Sequence, residues 1–172
     1  MKIRKDYKRP ADYVPKQYLP TDLAYMAGII DGEGCFWIGL IKRTYGDGYV
    51  SDHYRGVLKI SNTDKRLIDW LLQTFEGTQS AQTKYHPKGK FERDVYEWVA
   101  TGDRLRDLCE LLLPYLVIKK EHCENMIKFR ETYKNRLGST QISPETLALR
   151  YECMLHSRKL NSRFHNHPYK QL

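Results

Sequence analysis

An α+β fold, with a four-stranded antiparallel sheet and helices on one face, is predicted by three features of this sequence. The spacing of apolar residues alternates along the chain between a helical period and a two-residue period. Each alternating stretch is interrupted by a turn-rich segment, "YGDGY" at 45–49 and "PKGK" at 87–90, as a β-hairpin would be. The helical stretches fall before, between and after the two hairpins. The order is therefore αββαββα with further helices behind it, and two hairpins with interspersed helices pack as a sheet under a helical layer.

Taken in order, residues 1–20, "MKIRKDYKRPADYVPKQYLP", are basic and punctuated by proline. Lys2, Arg4, Lys5, Lys8 and Arg9 form either an arm that touches nucleic acid or a solvated tail. Thr21 and Asp22 are candidate N-caps for a helix from Leu23 to about Gly32. The first hairpin falls within "CFWIGLIKRTYGDGYVSDHYRGVLKISNT", Cys35 to Thr63. Asn62, Thr63 and Asp64 then offer caps for the helix "KRLIDWLLQTF", which Gly77 closes. The second hairpin spans Ser80–His86 and Phe91–Thr101. Asp103 opens the helix "RLRDLCELLLPYL", "VIKKEHCENMIKFRETYKNR" forms the next, and "SPETLALRYECMLHSRKL" forms the last, with Pro144 in its first turn.

The chain of 172 residues reads as one domain, 21–137, with a basic extension at 1–20 and a helix and tail at 138–172. Its 29 Lys and Arg against 21 Asp and Glu give a net charge of +8, which points to a polyanionic partner, nucleic acid being the common one. No apolar run reaches the ~18 residues that span a bilayer, and none resembles a secretory signal. A soluble, intracellular protein without a membrane partner is expected. Cys35, Cys109, Cys123 and Cys153 lack CxxC spacing and sit among apolar neighbours, as buried reduced thiols do. Two lures near the C-terminus are set aside: the letters H-N-H in "FHNHPYK", and a zinc site drawn from Cys153, His156, His165 and His167, whose spacing is unremarkable.

The first helix raises a question. Ala24, Gly28 and Gly32 form an i, i+4, i+8 row with Ala27 beside it, although Gly costs a helix about 1 kcal/mol relative to Ala. Such a row admits a second backbone, either from a partner or from the domain's own sheet. Asp31 and Glu33 bracket Gly32 where the helix stops. The segment "MAGIIDGEG", Met26 to Gly34, resembles the nine-residue motif of the LAGLIDADG homing endonucleases, with Met26 and Ile29 for the two leucines, Gly32 for the second alanine and Glu33 for the last acid. The succession of elements from Thr21 to about Arg136 resembles that family's half-domain too.

The resemblance implies a site-specific double-strand DNA endonuclease. A single motif implies a homodimer in which Ala24, Ala27, Gly28 and Gly32 face the partner helix, and hence a pseudo-palindromic target. It implies a divalent metal, Mg²⁺ with Mn²⁺ or Ca²⁺ able to substitute in binding, held by Glu33 and the Gly32 carbonyl. Asp31 is expected to do structural work at the helix end. By position, the catalytic set would be Glu33, Asn62 to place the attacking water, and Arg66 and Lys119 to stabilise the developing phosphorane charge, with Lys120 a close competitor for Lys119. As plain residues, Asn62 would be a helix cap, and Arg66 and Lys119 solvated charges.

The family lays the open face of its sheet in the major groove. Alternation places Trp37, Gly39, Ile41 and Arg43 on one face of the first strand, and His53, Arg55, Val57 and Lys59 on one face of the second. The second hairpin offers Gln82, Lys84, Tyr96 and Trp98. A register slip of one residue would reverse any of these assignments. Two other functions fit the scaffold: an RNA-splicing maturase, the one reading with an RNA partner, and a DNA-binding regulator without cleavage. Chloroplast, mitochondrion and prokaryotic cytoplasm all suit these readings.

Overall fold

The computed structural model describes residues 16–44, 46–48, 50–75, 77–85, 93–133 and 142–162, with the backbone alone for 79–85 and 93. The elements are α1 (Pro20–Glu33), β1 (Gly34–Thr44), β2 (Val50–Asn62), α2 (Lys65–Phe75), β3 (Thr78–Tyr85), β4 (Arg93–Thr101), α3 (Gly102–Leu112), α4 (Lys120–Glu131) and α5 (Pro144–Ser162). The antiparallel strands lie in the order β1-β2-β4-β3. The basic arm, the turn at 87–90 and the H-N-H letters, with His165 and His167, lie outside the described residues.

The start of α1 differs from expectation because proline sets it. Pro20 is the first residue of α1, where its missing N–H costs nothing, so Leu19 is the N-cap and Thr21 and Asp22 fall inside the first turn. For α2 the expected cap holds: Asp64 accepts the Arg66 backbone N–H at 2.9 Å. The first hairpin turns with Gly48 at φ 80°, a left-handed position that glycine takes without a Cβ penalty.

Strand alternation decides which side carries the core. Phe36 and Ile38 on β1, Leu58 and Ile60 on β2, and Trp98 and Ala100 on β4 are all buried, under Leu23, Met26, Ala27 and Ile30 of α1 and the apolar faces of α2, α3 and α4. Gly56 on the same side admits α4, since a Cβ there would lie 2.6 Å from Met126 Sδ and 2.9 Å from the Phe129 ring. Helix α5 closes the edge of β1: the Ile38 N–H donates to buried Ser157 Oγ at 3.2 Å, and Asn161 donates to the Phe36 carbonyl at 3.1 Å. An edge whose backbone groups are met by side chains offers little to a stray strand.

Trp98 is fully buried, and its indole lies where a side chain on Gly77 would stand: a Cβ there would be 2.0 Å from the Trp98 Nε1. Gly77 is thus more than the terminator of α2. Gly77→Ala must displace a core indole, and overpacking of this kind costs about 1–3 kcal/mol. Urea unfolding should show a lowered midpoint with unchanged slope; an unmoved midpoint would contradict this packing.

Three of the cysteines, Cys109, Cys123 and Cys153, are buried free thiols as expected, but Cys35 is exposed because it points to the uncovered side of β1. Among the described residues no helix is long and apolar enough to cross a membrane.

Candidate functional site

The end of α1 brings the motif's acids into two different environments. Asp31 is tied down: its carboxylate accepts backbone N–H groups of Val117 (2.9 Å), Ile118 (3.2 Å) and Lys119 (2.9 Å), the turn that leads into α4. Burial pushes its pKa up, but the three N–H donors and the nearby Lys119 charge outweigh that and hold it below the ordinary carboxylate value. Glu33, two residues on, is exposed and has no hydrogen-bond or ion-pair partner among the described residues. Gly34 ends the helix between them and the sheet. A Cβ on it would meet the backbone of Ile30 at 2.8 Å, so the motif's last glycine is required by close packing.

Lys119 completes this corner. Its ammonium donates to the Ile30 carbonyl at 2.8 Å and to the Gly34 carbonyl at 2.6 Å, spanning the helix end from which Glu33 projects. Burial draws its pKa below the usual lysine value, while the charges of Asp31 and Glu33 work in the opposite direction. Lys120 instead is exposed as the first residue of α4, so the geometry separates the two neighbours. A surface cavity of about 380 Å³ opens here, bounded by Asp31, Gly32, Gly34, Lys119 and Asn161 among others.

Asn62 and Arg66 lie at the same end of the sheet, because Gly34 pairs with Ile60 and Asn62 follows two residues later. Both are already engaged. The Asn62 side-chain carbonyl accepts the Asp64 N–H at 2.8 Å, a local turn that leads into α2, while Asp64 itself caps the helix. Arg66 grips Asp64 with contacts of 2.6 to 3.1 Å, and this guanidinium holds the Asp64 pKa down at about 2. Among the described residues there is no cluster of three or more His, Cys, Asp or Glu that could cage a metal. The donor set that one chain presents, a free carboxylate and a backbone carbonyl, fits a hard cation that takes its other ligands from phosphate and water.

The uncovered face of the sheet follows from the register. Cys35, Trp37, Gly39, Ile41 and Arg43 of β1 pair with Lys59, Val57, Arg55, His53 and Ser51 of β2, and directly paired residues share a face. The first hairpin therefore presents the residues that alternation proposed. Gly39 is buried on this face because the Trp37 indole lies over it; a Cβ there would be 2.0 Å from the ring.

The second hairpin corrects the expectation by one residue. Trp98 is in the core and Tyr96 packs against it, on the helical side. On the open side, β4 turns Thr101, Val99 and Glu97 toward Val57, Lys59 and Ser61. For the remaining pair, the backbone places Lys84 opposite Asp94 and puts Gln82 within the irregularity between Ser80 and Thr83. Of the residues proposed for helix approach, Ala27 is fully buried against the core and is likewise corrected. Ala24, Gly28 and Gly32 are exposed, and nothing lies within 4 Å of a Cβ on either glycine. Tyr25, Val117 and Ile118 are also exposed, at 59%, 83% and 61%.

No protein-family model matches the chain, and no curated protein matches it. Solved structures do. The chain is similar to the homing endonuclease I-CvuI in complex with its target, at 19% identity and a TM-score of 0.62 over 81% of this chain and 82% of that one. It is similar to the homing endonuclease I-TnaI, at 18% identity and a TM-score of 0.59 over 87% and 98%. It is also similar to the I-LtrWI LAGLIDADG homing endonuclease bound to target DNA, at 18% identity and a TM-score of 0.55 over 81% and 45%. The fold is that of the LAGLIDADG homing endonucleases.

Proposed function

We infer that this chain is a site-specific double-strand DNA endonuclease of the homing type that acts as a homodimer on a long pseudo-palindromic target inside the cell. The observation that carries the reading is the contrast at the end of α1: Asp31 accepts three N–H donors, while Glu33, two residues away, stands exposed and unpaired among the described residues, beside a helix face of bare glycine. A carboxylate with no partner among the described residues suits a shared cation.

Two α1 helices packed along Ala24, Gly28 and Gly32 would bring two Glu33 carboxylates to one axis, and the exposed Val117 and Ile118 would rim the contact. Glu33 and the Gly32 carbonyl would hold Mg²⁺, which, when bound, polarises the scissile phosphate and lowers the pKa of attacking water. The chain's own groups do the rest. Lys119 stands at Gly34 as a fixed positive charge for the developing phosphorane. The Asn62 amide nitrogen, unpartnered among the described residues, orients water. Arg66 exchanges an exposed, solvent-screened carboxylate for a phosphate. The open face, with Trp37, Ile41, Arg43, His53, Arg55, Val57 and Lys59, enters the major groove, where cations meet phosphates and guanine edges.

The test is cleavage. A duplex carrying the uninterrupted host sequence, rejoined from the DNA on either side of the gene, should be cut in both strands with Mg²⁺ and bound but not cut with EDTA. An intact duplex with Mg²⁺ would overturn the endonuclease reading.

Assembly has its own test. Gly28→Leu places a branched side chain on the bare face without touching this subunit's core. The variant should keep the wild-type circular dichroism spectrum, sediment as a monomer at micromolar concentration and lose double-strand cleavage. A wild-type chain that sediments as a monomer with and without DNA would remove the dimer.

A further inference from the structure

We propose that Lys59 and Glu97 act as one specificity-determining unit that reads a single G·C base pair in each half of the DNA site. The proposal rests on the DNA-binding reading above and assigns a role to an acid that the basic character of the face does not explain. With the register of β4 set by its pairing, Glu97 lies on the open face opposite Ser61, and Lys59 lies two residues from Ser61 on the same side. The Lys59 ammonium donates to Glu97 Oε1 at 2.8 Å, and Ser61 Oγ donates to the same oxygen at 3.2 Å. The pair remains within reach from outside, with side-chain exposures of 44% for Lys59 and 18% for Glu97.

A carboxylate on this face works against phosphate binding, because it repels the backbone and draws a lysine away from it. Its useful work is therefore with base edges. In the major groove a G·C pair shows two acceptors on guanine, N7 and O6, followed by a donor on cytosine, N4–H₂. The O6 and N4 atoms are themselves hydrogen-bonded to each other, so they lie about 2.9 Å apart. The Lys59 donor and the Glu97 acceptor are 2.8 Å apart, held there by their own contact and by Ser61. The two charged groups thus match the spacing and the order of the G·C edge, lysine over O6 and N7, glutamate over N4. An A·T pair repeats the acceptor-to-donor step between thymine O4 and adenine N6, but where guanine gives lysine a second acceptor at N7 it sets the thymine methyl. Ser61 immediately precedes Asn62, so the base pair read this way lies toward the cleavage end of the sheet.

The probe is a pool of duplexes randomised over about 30 base pairs, selected in parallel by the full-length wild type and Glu97→Gln, with circular dichroism of both proteins. Wild type should enrich sites with G·C at one symmetric pair of positions. Glu97→Gln should lose at least about fivefold of that preference, keep the others, and bind random DNA more tightly, with a steeper salt dependence. Lys59→Met should lose the same preference while weakening binding overall, so the assignment does not hang on one variant. A defined wild-type site that Glu97→Gln selects unchanged at every position would overturn the proposal, as would a lost preference for A·T. If wild type enriches no site, the DNA-binding reading falls, and the proposal with it.

Discussion

Glu33→Gln is expected to bind the target duplex as wild type does and to cut it roughly a thousandfold more slowly with Mg²⁺. The substitution keeps the shape of the side chain and its ability to hydrogen-bond, and removes the charge that holds a cation. Nothing in the fold opposes it, because Glu33 is exposed and supports no neighbour among the described residues. The loss should therefore appear in the cleavage rate alone, with an unchanged melting temperature. A dimer with one substituted subunit should mostly nick, since each Glu33 would serve its own strand. The measurement is a gel assay of both proteins on the rejoined host sequence, with filter binding in EDTA. Equal cutting by both would remove Glu33 from the site. A maturase or a regulator predicts no cutting by either.

How much of this was legible beforehand depends on whether the two faces of an element differ chemically. On β2, Leu58 and Ile60 alternate with Arg55 and Lys59, so one phase alone buries the apolar set and the register could be read directly. On β4, Tyr96 and Trp98 alternate with Val95 and Val99, and either phase buries something apolar. The tie is broken by Gly77, whose missing side chain makes room for the Trp98 indole, and no local pattern announces a contact of that kind. The same tie hides Glu97, which the register places on the open face opposite Ser61.

The same distinction runs through the helices. On α1, the motif marked out Glu33 and gave Asp31 a structural task, and the geometry agrees about Asp31. Its partners, the N–H groups of Val117, Ile118 and Lys119, lie 86 to 88 residues away and are backbone atoms, to which a pattern of side chains is blind. Size groups Ala27 with Ala24 and Gly28, whereas the helical period puts it one residue round, on the core side with Met26 and Ile30. The cover that α5 gives to the edge of β1 through Ser157 and Asn161 is likewise a tertiary fact.

The other large effect concerns Asp31, and pH gives its sign. Asp31→Asn replaces a carboxylate acceptor of three N–H groups by an amide with one oxygen, and turns an NH₂ toward donors that cannot receive it. Hydrogen bonds to a charged group contribute about 1.5–3 kcal/mol each and are not additive within one cluster, so a loss of roughly 2–4 kcal/mol is expected at neutral pH. The folded pKa of Asp31 lies below its ordinary value of 3.8, so the unfolded chain takes up the proton first on acidification. The stability that its charge contributes is thus complete above that value and is lost as pH falls through the lower folded one. Urea unfolding of the two proteins should show a constant gap from about pH 5 to pH 8 that narrows below pH 4. The variant should also shift Lys119, whose ammonium would lose the largest of the charges that counter its burial. Its pKa should fall further, and the alkaline limb of the cleavage profile should move to lower pH. A gap that stays constant down to pH 2 would show that the Asp31 charge does not hold the turn at 117–119, and an unmoved alkaline limb would separate Lys119 from it.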